Sequence, residues 1–142
     1  MLITGWGKYP VIESQECIPQ TYSSLRTCLD SSFTGIARGM GRSYGDSSLA
    51  PKVISTTYLN HMLSFDAESG ILHCQSGVTL ADILNVFVPK GWFPPVTPGT
   101  KYVSIGGCIA SDIHGKNHHQ VGSFCDHVLS ITMMLADGEI IV

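Results

Sequence analysis

The sequence predicts a domain of mixed α and β structure, on three observations. Short apolar runs bounded by Gly, Pro and Asp read as strands. Two segments carry helical spacing or a helix-opening cap. Two long glycine-rich stretches, 37–47 and 97–119, interrupt these elements at places where a strand or an extended segment has just ended. With 142 residues the chain is one domain's worth and long enough to bury a core.

The elements follow in order. Pro19 to Asp30 places Tyr22, Leu25 and Leu29 at i, i+3 and i+7, which predicts a helix of about three turns. Thr34 to Ala37 is a short strand that feeds the first glycine-rich stretch, and Lys52–Ser55 is a second. Ser64–Asp66 and Ile71–Gln75 form a hairpin around Glu68-Ser69-Gly70. Thr79-Leu80-Ala81-Asp82 resembles a capping box and opens a helix to about Val88, closed by Pro89 and Gly91. Pro94, Pro95 and Pro98 impose an extended approach to the second glycine-rich stretch. Val128–Leu135 and Glu139–Val142 are strands around the turn Ala136-Asp137-Gly138.

The glycine-rich stretches carry the functional signal. Glycine numbers 15 residues, above the ~7% usual for globular chains, and it concentrates where backbone could approach a large ligand. In Ala37-Arg38-Gly39-Met40-Gly41-Arg42-Ser43-Tyr44-Gly45-Asp46, consecutive N–H groups of a turn could form an anion-binding nest. Arg38 and Arg42 add charge suited to phosphate oxygens. Gly39, Gly41 and Gly45 are one residue out of register with the dinucleotide fingerprint, and Asp66 follows no clean strand–helix–strand; P-loop spacing is absent too. The second stretch ends in a polar cluster of Asp112, His114, Lys116, Asn117, His118 and His119. His114 and His118 are four apart, a zinc-compatible spacing on a helix, but Gly106, Gly107 and Gly115 argue against a stable helix there, and no third ligand is evident. No metal is expected. His118 and His119 read as exposed loop histidines, His127 stays open between core and surface, and His61 and His73 carry no signal.

In order, RGMGRSYGD, TPGTKYVSIGGCIASDIHGKNHH and ADGEI resemble the flavin-binding domain of the vanillyl-alcohol oxidase / p-cresol methylhydroxylase superfamily. Within it they are most similar to the oxidase subunits of decaprenylphosphoryl-β-D-ribose 2′-epimerases. The resemblance runs from about Thr4 to the last residue. It implies an α+β fold of the PCMH type: a small α/β subdomain over 1–98 with the pyrophosphate loop, then the beginning of a second α+β subdomain over 99–142. Compared with that family the chain reads as truncated, without the substrate-binding domain.

The resemblance also implies the cofactor, FAD, and its contacts. These are Ala37, Arg38, Gly39, Met40, Gly41, Arg42, Ser43, Tyr44, Gly45, Asp46 and Ser47 in the first stretch. In the second they are Gly99, Ser104, Ile105, Gly106, Gly107, Ser111, Asp112, Ile113 and His114. It places His114 beside the flavin ring and Lys116 and Tyr44 in the active site as catalytic candidates, for hydride transfer from a carbinol C–H to the flavin. A plain solvated loop lysine stays open as the other reading of Lys116. Aligned on the loop glycines, Arg42 stands where many members carry the histidine that attaches FAD covalently. Arginine's guanidinium is no nucleophile at neutral pH, so non-covalent FAD is expected.

Three functions stay open. One is the FAD-binding portion of an oxidoreductase acting on a sugar or polyprenyl-phosphate sugar; another is a non-catalytic flavin-binding half that needs a partner chain. The third is a pyrophosphate or nucleotide-sugar binder without redox role. A net charge of −3 gives no support for nucleic-acid binding. No run of ~18 apolar residues suggests a transmembrane segment. The five cysteines, at 17, 28, 74, 108 and 125, are scattered and odd in number. They read as unpaired, buried small hydrophobes in a reducing compartment. With no signal peptide visible at the N-terminus, a cytoplasmic location is expected, with membrane association only through a lipid-linked substrate.

Overall fold

The computed structural model describes residues 1–29 and 34–142. They form two compact units, Met1–Tyr58 with Val128–Val142, and Leu59–His127. Neither limit coincides with the 98/99 division expected from sequence.

The first unit opens with β1 (Leu2–Thr4) paired antiparallel to β2 (Val11–Glu13). Next come β3 (Gln15–Cys17), α1 (Tyr22–Cys28), β4 (Ile36–Arg38) and β5 (Lys52–Ser55). β5 lies between β3 and β4 and is parallel to both. Its Val53 and Ile54 are buried, as a strand flanked on both sides should be. Adjacent parallel strands cannot be joined by a tight hairpin and need a long crossover. Between β4 and β5 that crossover is residues 39–51, so the first glycine-rich stretch leaves the carboxyl end of a parallel strand.

α1 is shorter than the predicted Pro19–Asp30. Thr21 caps it, its hydroxyl accepting from the Ser24 N–H in a capping box; Asp30 lies outside the described residues. The strand predicted at Thr34–Ala37 is displaced to Ile36–Arg38. Cys17 and Cys28 form a disulfide across a Cα separation of 6.1 Å, which corrects the expectation of five unpaired cysteines and removes that ground for a reducing compartment. Of the other three, Cys108 is buried, Cys74 half-buried and Cys125 exposed, so burial holds for one alone of these.

In the second unit, β6 (Met62–Asp66) and β7 (Ile71–Cys74) make the predicted hairpin. Gly70 closes it at φ 74°, where an added Cβ would meet the Trp92 ring. α2 (Leu80–Phe87) begins as predicted: the Thr79 hydroxyl accepts from the Asp82 N–H, and the Asp82 carboxylate receives the Thr79 N–H. A cap of this kind stabilises a helix by about 1 kcal/mol. A 3₁₀ turn over Val88–Lys90 ends at Gly91, φ 84°. Phe87 stacks on Phe65 at 4.3 Å between ring centroids, and Trp92 meets Phe65 edge-on. Val78, Leu80, Val96 and Cys108 complete this core.

α3 (Ile105–Ala110) and α4 (His118–Val121) follow. Gly106 and Gly107 lie inside α3, contrary to their reading as helix-breaking, because the cap and tertiary contacts outweigh their propensity. The Ser104 hydroxyl caps the helix at Gly107, the Ile105 and Gly106 N–H groups bond Val78 and Ser76 carbonyls, and Cys108 is fully buried. No helix spans 114–118. The chain then returns to the first unit, where β8 (Met133–Met134) and β9 (Ile140–Ile141) pair around Gly138, φ 84°. Both are far shorter than the predicted Val128–Leu135 and Glu139–Val142. Among the described residues no helix is long and apolar enough to cross a membrane.

Candidate functional site

Residues 37–47 begin on β4 and turn sharply twice. Gly41 and Gly45 have φ of 64° and 57°, a region that L side chains avoid. Gly41 is buried, and a Cβ there would strike the Arg38 guanidinium. At Gly45 a Cβ would meet nothing within 4 Å, so the backbone faces open space. The loop closes on itself through Leu49 N–H to the Asp46 carbonyl and Ser47 Oγ to the Tyr44 carbonyl. Tyr44 itself is 79% exposed.

The two arginines differ. Arg38 donates Nη1 to the Ser48 carbonyl and hydroxyl, both at 3.0 Å, and Nη2 to the Thr4 carbonyl at 2.8 Å. Burial depresses its pKa from the ordinary value, and the like charge of Arg42 adds to this while Glu16 opposes it. Arg38 therefore fastens the loop's ends. Arg42 is exposed, with its guanidinium carbon 5.8 Å from the Trp6 ring centroid. Of the pair, Arg42 is the one placed to meet an anion from solvent.

The second unit gathers part of the other stretch around a cleft of about 750 Å³, within the range of small-molecule sites. Gly99, His114, Gly115, Lys116, Asn117 and His118 line it, together with Phe93, Pro94 and Pro95. Gly115 is what lets these two segments touch: a Cβ would fall 2.8 Å from the Thr97 carbonyl oxygen. Asn117 Nδ2 donates to the Pro95 carbonyl at 3.3 Å. His118 Nδ1 lies 3.1 Å from the Gly115 carbonyl, and its ring meets that of His114 at 5.2 Å between centroids. Lys116 and His114 are exposed at the cleft wall. Such an arrangement can orient a hydroxyl or carbonyl and share a proton with it.

Other predicted site residues do not line this cleft. Ser104, Ile105, Gly106 and Gly107 build α3, with Ser104 buried. Asp112, at φ 39°, accepts from the Cys125 N–H and the Ser123 hydroxyl, both at 2.9 Å. The Cys125 N–H, then the Ser123 hydroxyl, hold its carboxyl below the usual range. Asp112 thus anchors the 3₁₀ turn Phe124–His127. Ser111 and Ile113 flank that anchor. Sequence reasoning named Asn117 in the polar cluster but missed Phe93, Pro94 and Pro95 as cleft lining. The aromatic Phe93 beside the stiff proline pair Pro94-Pro95 is the signal in the sequence.

The first loop by itself fits an anionic group of a ligand. A loop at the carboxyl end of a parallel strand is a common place for phosphate-bearing ligands, Gly45 leaves its backbone uncovered, and Arg42 supplies charge without a nucleophile.

Comparison with known proteins agrees. A decaprenylphosphoryl-beta-D-ribose oxidase of Mycolicibacterium smegmatis is 37% identical over 97% of this chain and 32% of its own length. A D-lactate dehydrogenase of Anaerostipes hadrus is 32% identical over 87% of this chain and 24% of its own length. The chain thus spans a third or less of these relatives. A solved alkyldihydroxyacetonephosphate synthase shares the fold, with a TM-score of 0.71 over 87% of this chain and 25% of its own at 16% identity. This bears out the expected PCMH-type α+β fold, truncated relative to full-length relatives. The family described as FAD binding domain matches residues 18–142, and the chain belongs to it.

Proposed function

We propose that this chain is the FAD-binding part of an FAD-linked oxidoreductase that oxidises a CH–OH group of a sugar or polyprenyl-phosphate sugar. The observation that carries the reading is that His114 and Lys116 line the same cleft in a chain of the FAD binding domain family. The names of the two relatives, an oxidase of a ribose derivative and a dehydrogenase of a hydroxy acid, support oxidation at a carbinol carbon.

The Gly39–Gly45 backbone with Arg42 receives the pyrophosphate; Gly99, α3 and the segment to His114 serve the ring-side half of the cofactor. When bound, FAD accepts the hydride removed from the carbinol carbon. Lys116 orients the substrate hydroxyl and stabilises the oxygen as its proton passes to solvent water. His114 shapes the ring site by hydrogen bonding, and Tyr44 adds an exposed hydroxyl at the first loop. FAD is held non-covalently, since Arg42 occupies the position of the attaching histidine. Positioning both reactants is what such an oxidation needs. The part of the architecture beyond the span of this chain supplies the rest of the substrate pocket, in the same polypeptide or from a second chain.

The test is flavin reduction in the assembled protein under anaerobic conditions. Loss of the oxidised flavin absorbance on adding a sugar alcohol or its polyprenyl-phosphate derivative is the expected result, with His114→Ala shifting the flavin spectrum or weakening its retention. Bound flavin that no such donor reduces would leave a non-catalytic flavin-binding role. Binding of nucleotide-sugars in place of flavin would overturn the redox reading altogether.

A further inference from the structure

The family match begins at residue 18, yet the first loop is shaped by residues well before it. Trp6 N–H donates to the Ser43 carbonyl at 2.9 Å. Arg38, at the loop's root, donates to the Thr4 carbonyl at 2.8 Å. Gly5 is buried, and a Cβ on it would fall 2.7 Å from the carbonyl oxygens of both Ser43 and Gly45. The Arg42 guanidinium sits 5.8 Å from the Trp6 ring centroid, within cation–π reach. The turn is closed by Lys8 N–H to the Gly5 carbonyl, with Lys8 at φ 59°. Four contacts from three consecutive residues thus converge on one loop.

We infer that the turn Thr4-Gly5-Trp6 is a working part of the cofactor site: it sets the Gly39–Gly45 backbone in the shape that receives pyrophosphate, and the Trp6 ring seats Arg42 toward the anion. The inference rests on the reading of that loop as the pyrophosphate-binding element. Hydrophobic burial alone explains Trp6 poorly, since it stays 51% exposed while its N–H and its ring both engage the loop. Gly5 is required by space: any side chain would push on two loop carbonyls and move the backbone that faces the ligand. Trp6 acts through Arg42 and is a positioning residue.

The experiment is a fluorescence titration of the full chain with FAD, in the parent and in Trp6→Ala, Trp6→Phe, Gly5→Ala, Arg42→Gln and the Trp6→Ala/Arg42→Gln pair. Thermal unfolding of each apo-protein is measured alongside. Trp6→Ala should weaken FAD binding roughly two- to fivefold, the scale of an exposed cation–π contact, without changing the unfolding midpoint. Trp6→Phe should restore most of the loss. On the Arg42→Gln background, Trp6→Ala should have no further effect, because the two side chains act as one unit. Gly5→Ala should lose roughly tenfold or more as the loop carbonyls are displaced; if it does not fold, the Trp6/Arg42 cycle decides alone. Parent-like affinity in Trp6→Ala, or the same loss with and without Arg42, overturns the inference while FAD binding by the parent stands. A parent chain that binds no FAD overturns the loop assignment itself, and this inference with it.

Discussion

In residues 37–47 the glycines at 41 and 45 carry positive φ, whereas none of Gly99, Gly106, Gly107 and Gly115 in the second stretch does. In that set Gly106 and Gly115 are governed by space instead, while Gly99 faces open space. A Cβ at Gly106 would lie 2.9 Å from the Ser76 Cβ, and one at Gly115 would lie 2.8 Å from the Thr97 carbonyl oxygen. Both stretches look alike as composition. One is a turning loop that exposes backbone, and the other is a close-packed support that presents His114 and Lys116. Substitution separates the two, because a residue that tolerates left-handed backbone can replace Gly45, which has open space, and cannot replace Gly106 or Gly115.

The largest effect is expected where the support meets chemistry. Lys116→Ala in the assembled protein should lower turnover by roughly 10²-fold or more, as for a lost acid–base or orienting group, with flavin still bound. Wild-type turnover would reduce Lys116 to a solvated loop residue. Next comes Gly115→Ala, which must displace the Thr97 backbone. A loss of about 1–3 kcal/mol, the usual cost of overpacking, should appear in denaturant unfolding; an unchanged midpoint would show that the close approach is not required. Gly45→Ala should cost about 1–2 kcal/mol through its left-handed backbone. Gly45→Asn should cost clearly less, since asparagine visits that region and a side chain there has open space. Equal losses for Ala and Asn would contradict the φ argument. The smallest is Ser104→Ala, which removes the cap of α3 at Gly107 and should cost about 1 kcal/mol.

Legibility from the sequence divides along the same line of local against distant causes. The cap at Thr79, the stop at Gly91 and the hairpin at Gly70 were readable because each depends on residues three or four apart. α3 was not, since Gly106 and Gly107 have poor helix propensity and the contacts that stabilise it come from Ser76 and Val78. Ser104 ahead of Ile105, Cys108 and Ile109 was the overlooked signal. The order β3-β5-β4 and the Cys17–Cys28 bond are set by pairing across the sheet and against α1, which no spacing rule encodes. Residues 128–132 have strand-forming side chains but pair with no strand among the described residues. At the site, the His114–Lys116 cluster was legible as polar groups amid small residues. The division of labour between Arg38 and Arg42 was not, because it rests on the carbonyls of Thr4 and Ser48.

The central claim is that this chain holds FAD, non-covalently, through the open backbone of its first loop. The most direct measurement is acid precipitation of protein reconstituted with FAD, followed by the absorbance of supernatant and pellet. The account predicts yellow protein before precipitation and all flavin in the supernatant after it. Flavin that stays with the pellet would contradict non-covalent attachment, and a protein that never takes up FAD would contradict the claim itself.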